Sequence, residues 1–325
     1  MKTGHRQSRR ASLGRRALRL LLGTFAVLMF GAGVLLAAGV AFALVTYDEY
    51  ADQYVPPDLL SLNQPSRGAK IYDRNGTLLY EYVDDEQGLR KPVKLGDVSP
   101  HLIAATIATE DSSFFSNPGF NLRGLVRAGL ESVNSLLSQG DISESTGGSS
   151  ITQQLIKNAY IPTEARSDRT VERKLRELVY ASELTKSVSK EQILEWYVNE
   201  INYGGIYSGI EAASEGYFGK PAKDLTLGEA ALLAGIPQSP SALDPRSNLD
   251  AAVARRNEVL DLLSRHPTLD IGGGATYTVN PEEVQAAREE QVSVREEWFP
   301  IEAPHFVLSY IVPQLEQMFG KEALL

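Results

Sequence analysis

Apolar and polar positions alternate with different periods along the chain, and each period predicts an element. Leu20 to Val45 is a run of 26 residues without a charge. At ~1.5 Å rise per residue it exceeds the ~30 Å hydrocarbon core of a bilayer and predicts one transmembrane helix. Residues 46–69 mix acids with Pro56, Pro57 and Pro65 and read as a linker. Between Lys70 and Tyr82 two strand-like runs flank Asn75-Gly76, which tolerate φ > 0 and predict a β-hairpin. From Asp97 to about Arg265 the period is helical. Leu122, Leu125, Val126, Leu130, Val133, Leu136 and Leu137 share one helix face, which is expected to face a core, with the lipid surface as the alternative. Ile151, Leu155 and Ile156 form a second stripe and leave Ser149, Thr152 or Gln153, Gln154 and Lys157 for another surface. Leu225 to Gly235 is an apolar helix opened by a capping box, Thr226 with Glu229, which argues for scaffold rather than chemistry. Beyond it His266-Pro267 ends a helix, Gly272-Gly273-Gly274 is a loop, and Pro281 starts a short helix.

Charge changes the picture at the N-terminus. Residues 2–19 hold seven Lys/Arg (Lys2, Arg6, Arg9, Arg10, Arg15, Arg16, Arg19) and no acid, so that flank stays cytoplasmic and the rest lies outside. A cleaved signal peptide (Ala41-Phe42-Ala43), a twin-Arg export signal (Ser8-Arg9-Arg10) and a buried core helix are the competing readings. The run is longer than the ~7–15 residues of a signal h-region, which favours an uncleaved anchor. The whole chain has 32 basic and 41 acidic residues; without the flank 25 basic residues remain, a net of −16. Nucleic acid is thereby excluded as a partner, and the flank suits anionic lipid headgroups. There is no cysteine, hence no disulfide, thiolate nucleophile or cysteine-ligated metal, and the four histidines show no metal-ligand spacing.

The candidate chemistry begins at Glu110-Asp111, an acidic pair at the end of the apolar run Leu102, Ile103, Ala104, Ala105, Ile107, Ala108 and just before Phe114-Phe115. A carboxylate in apolar surroundings is partly desolvated, which raises its pKa and suits Glu110 to act as a general base; the plainer reading is a surface helix end. The hydroxyls and amides of Ser149, Thr152, Gln153 and Gln154, after Gly147-Gly148 and followed by Lys157-Asn158, suit a groove that binds sugar or phosphate oxygens at a helix N-terminus. On the helix from Thr170 to Leu184, Glu177 is flanked by Arg173 at i,i+4 and Lys174 at i,i+3, either a surface ladder or a site for a diphosphate leaving group.

These motifs together resemble the family 51 glycosyltransferases, the peptidoglycan glycosyltransferase domains of class A penicillin-binding proteins and monofunctional murein polymerases. The resemblance rests on Glu110-Asp111 with Phe114 and Gly119, Gly147 to Leu155 with Lys157-Asn158, Arg173-Lys174-x-x-Glu177, and Ile193-Leu194-Glu195 with Tyr197 and Asn199, in order from about Lys70 to Arg256. It implies a mostly α, lysozyme-like, two-lobed domain over residues 70–265 with a small β-hairpin, preceded by one transmembrane helix. It implies polymerisation of lipid II into β-1,4 glycan strands by inverting displacement of a polyprenyl diphosphate at the outer membrane face. Glu110 would be the base and Glu177 the second catalytic carboxylate, beside the departing diphosphate. Asp111, Ser149, Thr152, Gln153, Gln154, Lys157, Asn158, Arg173 and Lys174 would bind substrate. A divalent cation, Mg²⁺ or Mn²⁺, is a possible helper near Glu177, and division or elongation proteins are possible partners. Asn117 stands where the family often has histidine, and Ser150 where threonine is usual. A glycan-cleaving enzyme of the same fold is the alternative, although it needs no cationic cluster; a non-catalytic scaffold is another. Ser187-x-x-Lys190 and Lys2-Thr3-Gly4 spell acyl-serine motifs, but no Ser-Asp-Asn exists. The resemblance to class A proteins implies that residues 266–325 connect to a transpeptidase domain beyond this chain, a protein lacking that domain being the alternative.

Overall fold

The computed structural model describes residues 4–56, 68–83, 88–122, 124, 149–161, 170–296 and 304–324. The helix expected over residues 122–137 and the Gly140–148 loop lie almost wholly outside them.

The basic flank and the apolar run form one helix, α1 (Gly4–Gln53), 50 residues long. It continues through residues 46–53, which the sequence reading gave to the linker, because nothing there opposes a helix until Pro56 and Pro57 remove N–H donors and crowd the residue before them. Its unit ends at Tyr54, and a second unit runs from Val55. Counting described residues alone, no helix is long and apolar enough to cross a membrane; a crossing at Leu20–Val45 stands on the uncharged run in the sequence.

In the second unit β1 (Lys70–Tyr72) and β2 (Leu78–Glu81) form the expected antiparallel hairpin. Asp73 nucleates it by accepting from the Asn75 and Thr77 amides, at 2.7 and 2.8 Å, and Gly76 takes φ +84°. A short β3 (Leu89–Arg90) waits for a parallel partner. The helical part opens with α2 (Pro100–Glu110), whose proline sits in the first turn, where no N–H is needed. Next come α3 (Ile151–Tyr160), α4 (Val171–Ser187) and α5 (Lys190–Glu200). Then β4 (Tyr207–Ser208) pairs with β3, and α6 (Ile210–Phe218), α7 (Leu227–Gly235) and α8 (Leu249–Ser264) follow.

Two helix groups make the core. α2 packs against α7 and α8, and α3 against α4 and α5. α7 is apolar around its whole circumference and is buried accordingly, with the Thr226–Glu229 capping box in place. Its scaffold reading agrees with that position. β5 (Thr268–Gly272) and β6 (Ala275–Thr278) form a second hairpin where the sequence reading gave only a glycine loop. Leu269 and Tyr277 bury one face of it. After α9 (Pro281–Glu289), the chain passes through one helical turn, Pro304–Phe306, and a π-helical segment, Val307–Ile311, into α10 (Val312–Phe319).

Candidate active site

α2 stops at Glu110 because Asp111 leaves helical geometry, at φ −161° and ψ 82°, and the next turn closes with Phe114 N–H donating to Asp111 O. The last helical side chain therefore projects into a cleft of about 950 Å³. Burial pushes the Glu110 carboxyl above its ordinary 4.5; Gln154 and the more distant charge of Arg255 draw it back, and Asp111 adds to the rise. Gln154 donates Nε2–H to Glu110 Oε2 at 2.6 Å. Its carbonyl accepts from the Tyr197 hydroxyl at 3.2 Å, and burial holds that phenol well above 10, so it stays a donor. The Tyr197–Gln154–Glu110 chain thus fixes which end of the amide meets the carboxylate.

Gln154 is delivered by α3, which begins at a capping box. Ser150 Oγ accepts from Gln153 N–H at 3.1 Å and Ser150 N–H donates to Gln153 Oε1 at 3.0 Å. The Ser150 hydroxyl also donates to Gly119 O, joining α3 to the loop after Glu110. Serine in place of threonine keeps every one of these bonds. On α3, Gln154, Lys157 and Asn158 line the cleft, as does Ser149 before it. Gln153 reaches the lining too, but only 2% of it is exposed and its carbonyl closes the cap. Thr152 does not line the cleft: it is fully buried with Ile151, Leu155 and Ile156, and its hydroxyl has no partner among the described residues.

Glu177, 2% exposed, brings the second carboxylate to the same cleft. One oxygen accepts from Arg173 and the other from Lys174 at 3.1 Å. Lys174 also donates to Ser149 Oγ at 2.7 Å. Arg173 and Lys174 stand behind Glu177 rather than in the lining, and the surface-ladder reading of this cluster does not hold. With both oxygens occupied by cations, Glu177 does not suit a divalent cation. Among the described residues no group of three acidic or histidine side chains gathers to hold one.

The facing wall comes from α8 and its end, with Arg255, Glu258, Asp261, Leu262, Arg265 and His266, none of which the sequence reading placed in the site. Arg255 pairs with Glu258 at 2.8 Å. Their spacing at i, i+3, i+6 and i+10 makes a polar stripe on α8, a signal present in the sequence but without an address. The acyl-serine reading of Ser187 and Lys190 finds no support: the Ser187 hydroxyl bonds Glu183 O and Leu184 O, each at 3.2 Å, at the end of α4, and Lys190 starts α5 behind the N-cap Ser189.

Removing the Gln154 amide tests this geometry. Gln154→Leu takes away a bond that favours the ionised carboxylate, so the Glu110 carboxyl, already raised by burial, is expected to rise further, and an acidic limb of the kcat/KM profile set by it to move to higher pH. A limb that stays in place would disconnect Gln154 from the base.

A sequence model of the transglycosylase family matches residues 75–264. Penicillin-binding protein 1A of Pseudomonas aeruginosa is 33% identical over 258 residues, 78% of this chain and 28% of that protein. Penicillin-binding protein 1A of Escherichia coli is 37% identical over 229 residues, covering 70% and 25%. That of Mycobacterium tuberculosis is 43% identical over 175 residues, covering 54% and 20%. The chain thus spans about a quarter of the length of the curated relatives it matches. The match to the family model takes in both carboxylates, the helices that carry them and the α8 wall up to Ser264. The chain therefore belongs to the transglycosylase family, the family 51 glycosyltransferases whose ordered motifs its sequence carries.

Proposed function

We propose that this chain polymerises lipid II into β-1,4 glycan strands. The observation that carries the proposal is a single cleft lined by a half-buried carboxylate with a raised pKa and by a second carboxylate buttressed by two cations. Glu110 takes the proton from the acceptor sugar's 4-hydroxyl as that oxygen attacks the donor's anomeric carbon, and the carbon–diphosphate bond breaks on the opposite face, with inversion. Arg173 and Lys174, held by Glu177, and Lys157 neutralise the charge that gathers on the departing diphosphate. Asp111, Ser149, Gln153, Gln154 and Asn158 border the sugar and phosphate oxygens.

The substrate's lipid gives α1 a mechanistic meaning: Leu20–Val45 crosses the bilayer, the seven basic residues of the flank stay on the cytoplasmic side, and the cleft works on the outer face. Incubation of the detergent-solubilised chain with labelled lipid II, with products resolved by size, tests the proposal. Long glycan strands are the expected product. Cleavage of preformed glycan instead would establish the lytic reading, and neither activity would leave a scaffold.

A further inference from the structure

Behind Glu110 lies a cluster of which the reaction as described uses only Asp111, at the edge of the cleft. Asp111, 3% exposed, follows Glu110 directly. It accepts from the Ser113 hydroxyl at 3.0 Å and from Asn117 Nδ2 at 2.7 Å. The carbonyl end of the same Asn117 amide accepts from Gly119 N–H at 3.0 Å and from the Lys190 ammonium at 2.9 Å. Lys190 comes from a different element, the first turn of α5, and its ammonium lies 4.6 Å from the Phe114 ring centre. One amide thus joins a buried carboxylate to a half-buried ammonium. A neutral imidazole has one donor and one acceptor nitrogen and cannot accept from both Lys190 and Gly119 while donating to Asp111. Asparagine at this position is what completes the arrangement.

We infer that Lys190 is a positioning residue for the transfer reaction: through Asn117 it holds the loop after the base and offsets the charge of Asp111 beside Glu110. The inference rests on Glu110 being the base. Asp111 repels the ionised form of Glu110 and Arg255 attracts it, while Lys190 acts on Asp111, which it reaches through the Asn117 amide. The ammonium gives something up by sitting there: burial pushes it down to about 8, against the pull of Asp111. The groups around it are accounted for. The turn Phe114–Ser116 supplies no charge, Glu191 on α5 accepts instead from Gly273 N–H at 3.1 Å, and Asp111 is the charge that acts on the ammonium. An ammonium near a carboxylate favours ionisation of the acids around it, and its loss is felt as a rise in their pKa.

Lys190→Gln tests this, because glutamine keeps a donor for Asn117 and removes the charge. Glu110 is followed by carboxyl carbon-13 titration, assigned with Glu110→Gln, beside the pH profile of kcat/KM for lipid II. Both midpoints are expected to rise together by roughly half to one pH unit. The double variant Asp111→Asn/Lys190→Gln leaves no uncompensated buried charge and guards against a folding failure of the single one. Its Glu110 midpoint is expected to match that of Asp111→Asn alone. Midpoints unchanged by Lys190→Gln, or moved equally with and without Asp111, would overturn the inference and leave Lys190 a structural cation. A carbon midpoint that rises while the kinetic limb stays would overturn it differently, by showing that Glu110 is not the base.

Discussion

Glu110→Gln is expected to abolish strand synthesis, lowering the rate by roughly 10²–10⁴-fold, the usual contribution of a positioned base. The substitution conserves volume at the end of α2, so the fold is expected to survive it. Thermal unfolding checks this. Because burial raises the Glu110 carboxyl above 4.5, the folded state favours the protonated form. That contribution to stability is fully present below 4.5 and disappears as pH rises through the higher folded value. At neutral pH the ionised base is a burden on the fold, and a neutral glutamine removes it. The variant is therefore expected to melt at the wild-type temperature or above. A protein that melts normally and still polymerises lipid II would remove Glu110 from the mechanism.

The second large effect concerns the cations around Glu177. Arg173→Ala leaves a carboxylate that is 2% exposed with Lys174 as its remaining ion-pair partner. Breaking a buried pair costs ~3–5 kcal/mol when no other partner exists. With Lys174 still in place, a loss of about 2 kcal/mol is expected, read as a fall in melting temperature. Turnover is expected to fall on the order of 100-fold, as when one donor to a developing charge is lost. Lys157→Ala separates the two effects, since Lys157 borders the cleft and is not an ion-pair partner of Glu177. It is expected to raise KM about tenfold, the worth of one charge-assisted hydrogen bond, while both ion pairs of Glu177 stay in place. Normal turnover and KM in both variants would leave the leaving-group site without support.

The desolvation of Glu110 was legible because its surroundings are local: an apolar helix that ends in Glu-Asp tells its own story. The Glu177 cluster was legible for the same reason, being written at i, i+3 and i+4 on one helix. Thr152 shows what a closer reading of the pattern yields. At ~100° per residue it lies about 100° around α3 from Ile151, between Leu155 at about 40° and Ile156 at about 140°, and so inside the buried arc. Gln153, Lys157, Gln154 and Asn158 fill the remaining arc, which faces the cleft. The α8 wall could not be read in this way. Arg255 and Glu110 are far apart in sequence, and only the packing of α2 against α8 brings them to one cleft. The β5–β6 hairpin was missed because its strands are short and three consecutive glycines dominate the pattern. The amide bridge at Asn117 was hidden for a related reason, as its two ionic partners belong to separate elements.

Gly119 carries a consequence of another kind. It takes φ +99°, and a Cβ there would lie 2.3 Å from Ala181 O and 2.7 Å from Thr185 Oγ1 on α4. Its carbonyl meanwhile receives the Ser150 hydroxyl and its amide donates to Asn117. The loop behind the base, the helix that brings Gln154 and the helix that brings Glu177 all meet at a position with no side chain. The approach of the two carboxylates is set in part by a missing methyl group, and a side chain at this position would have to displace α4. A map of mutational tolerance is expected to mark Gly119 as well as Glu110, although Gly119 only leaves room.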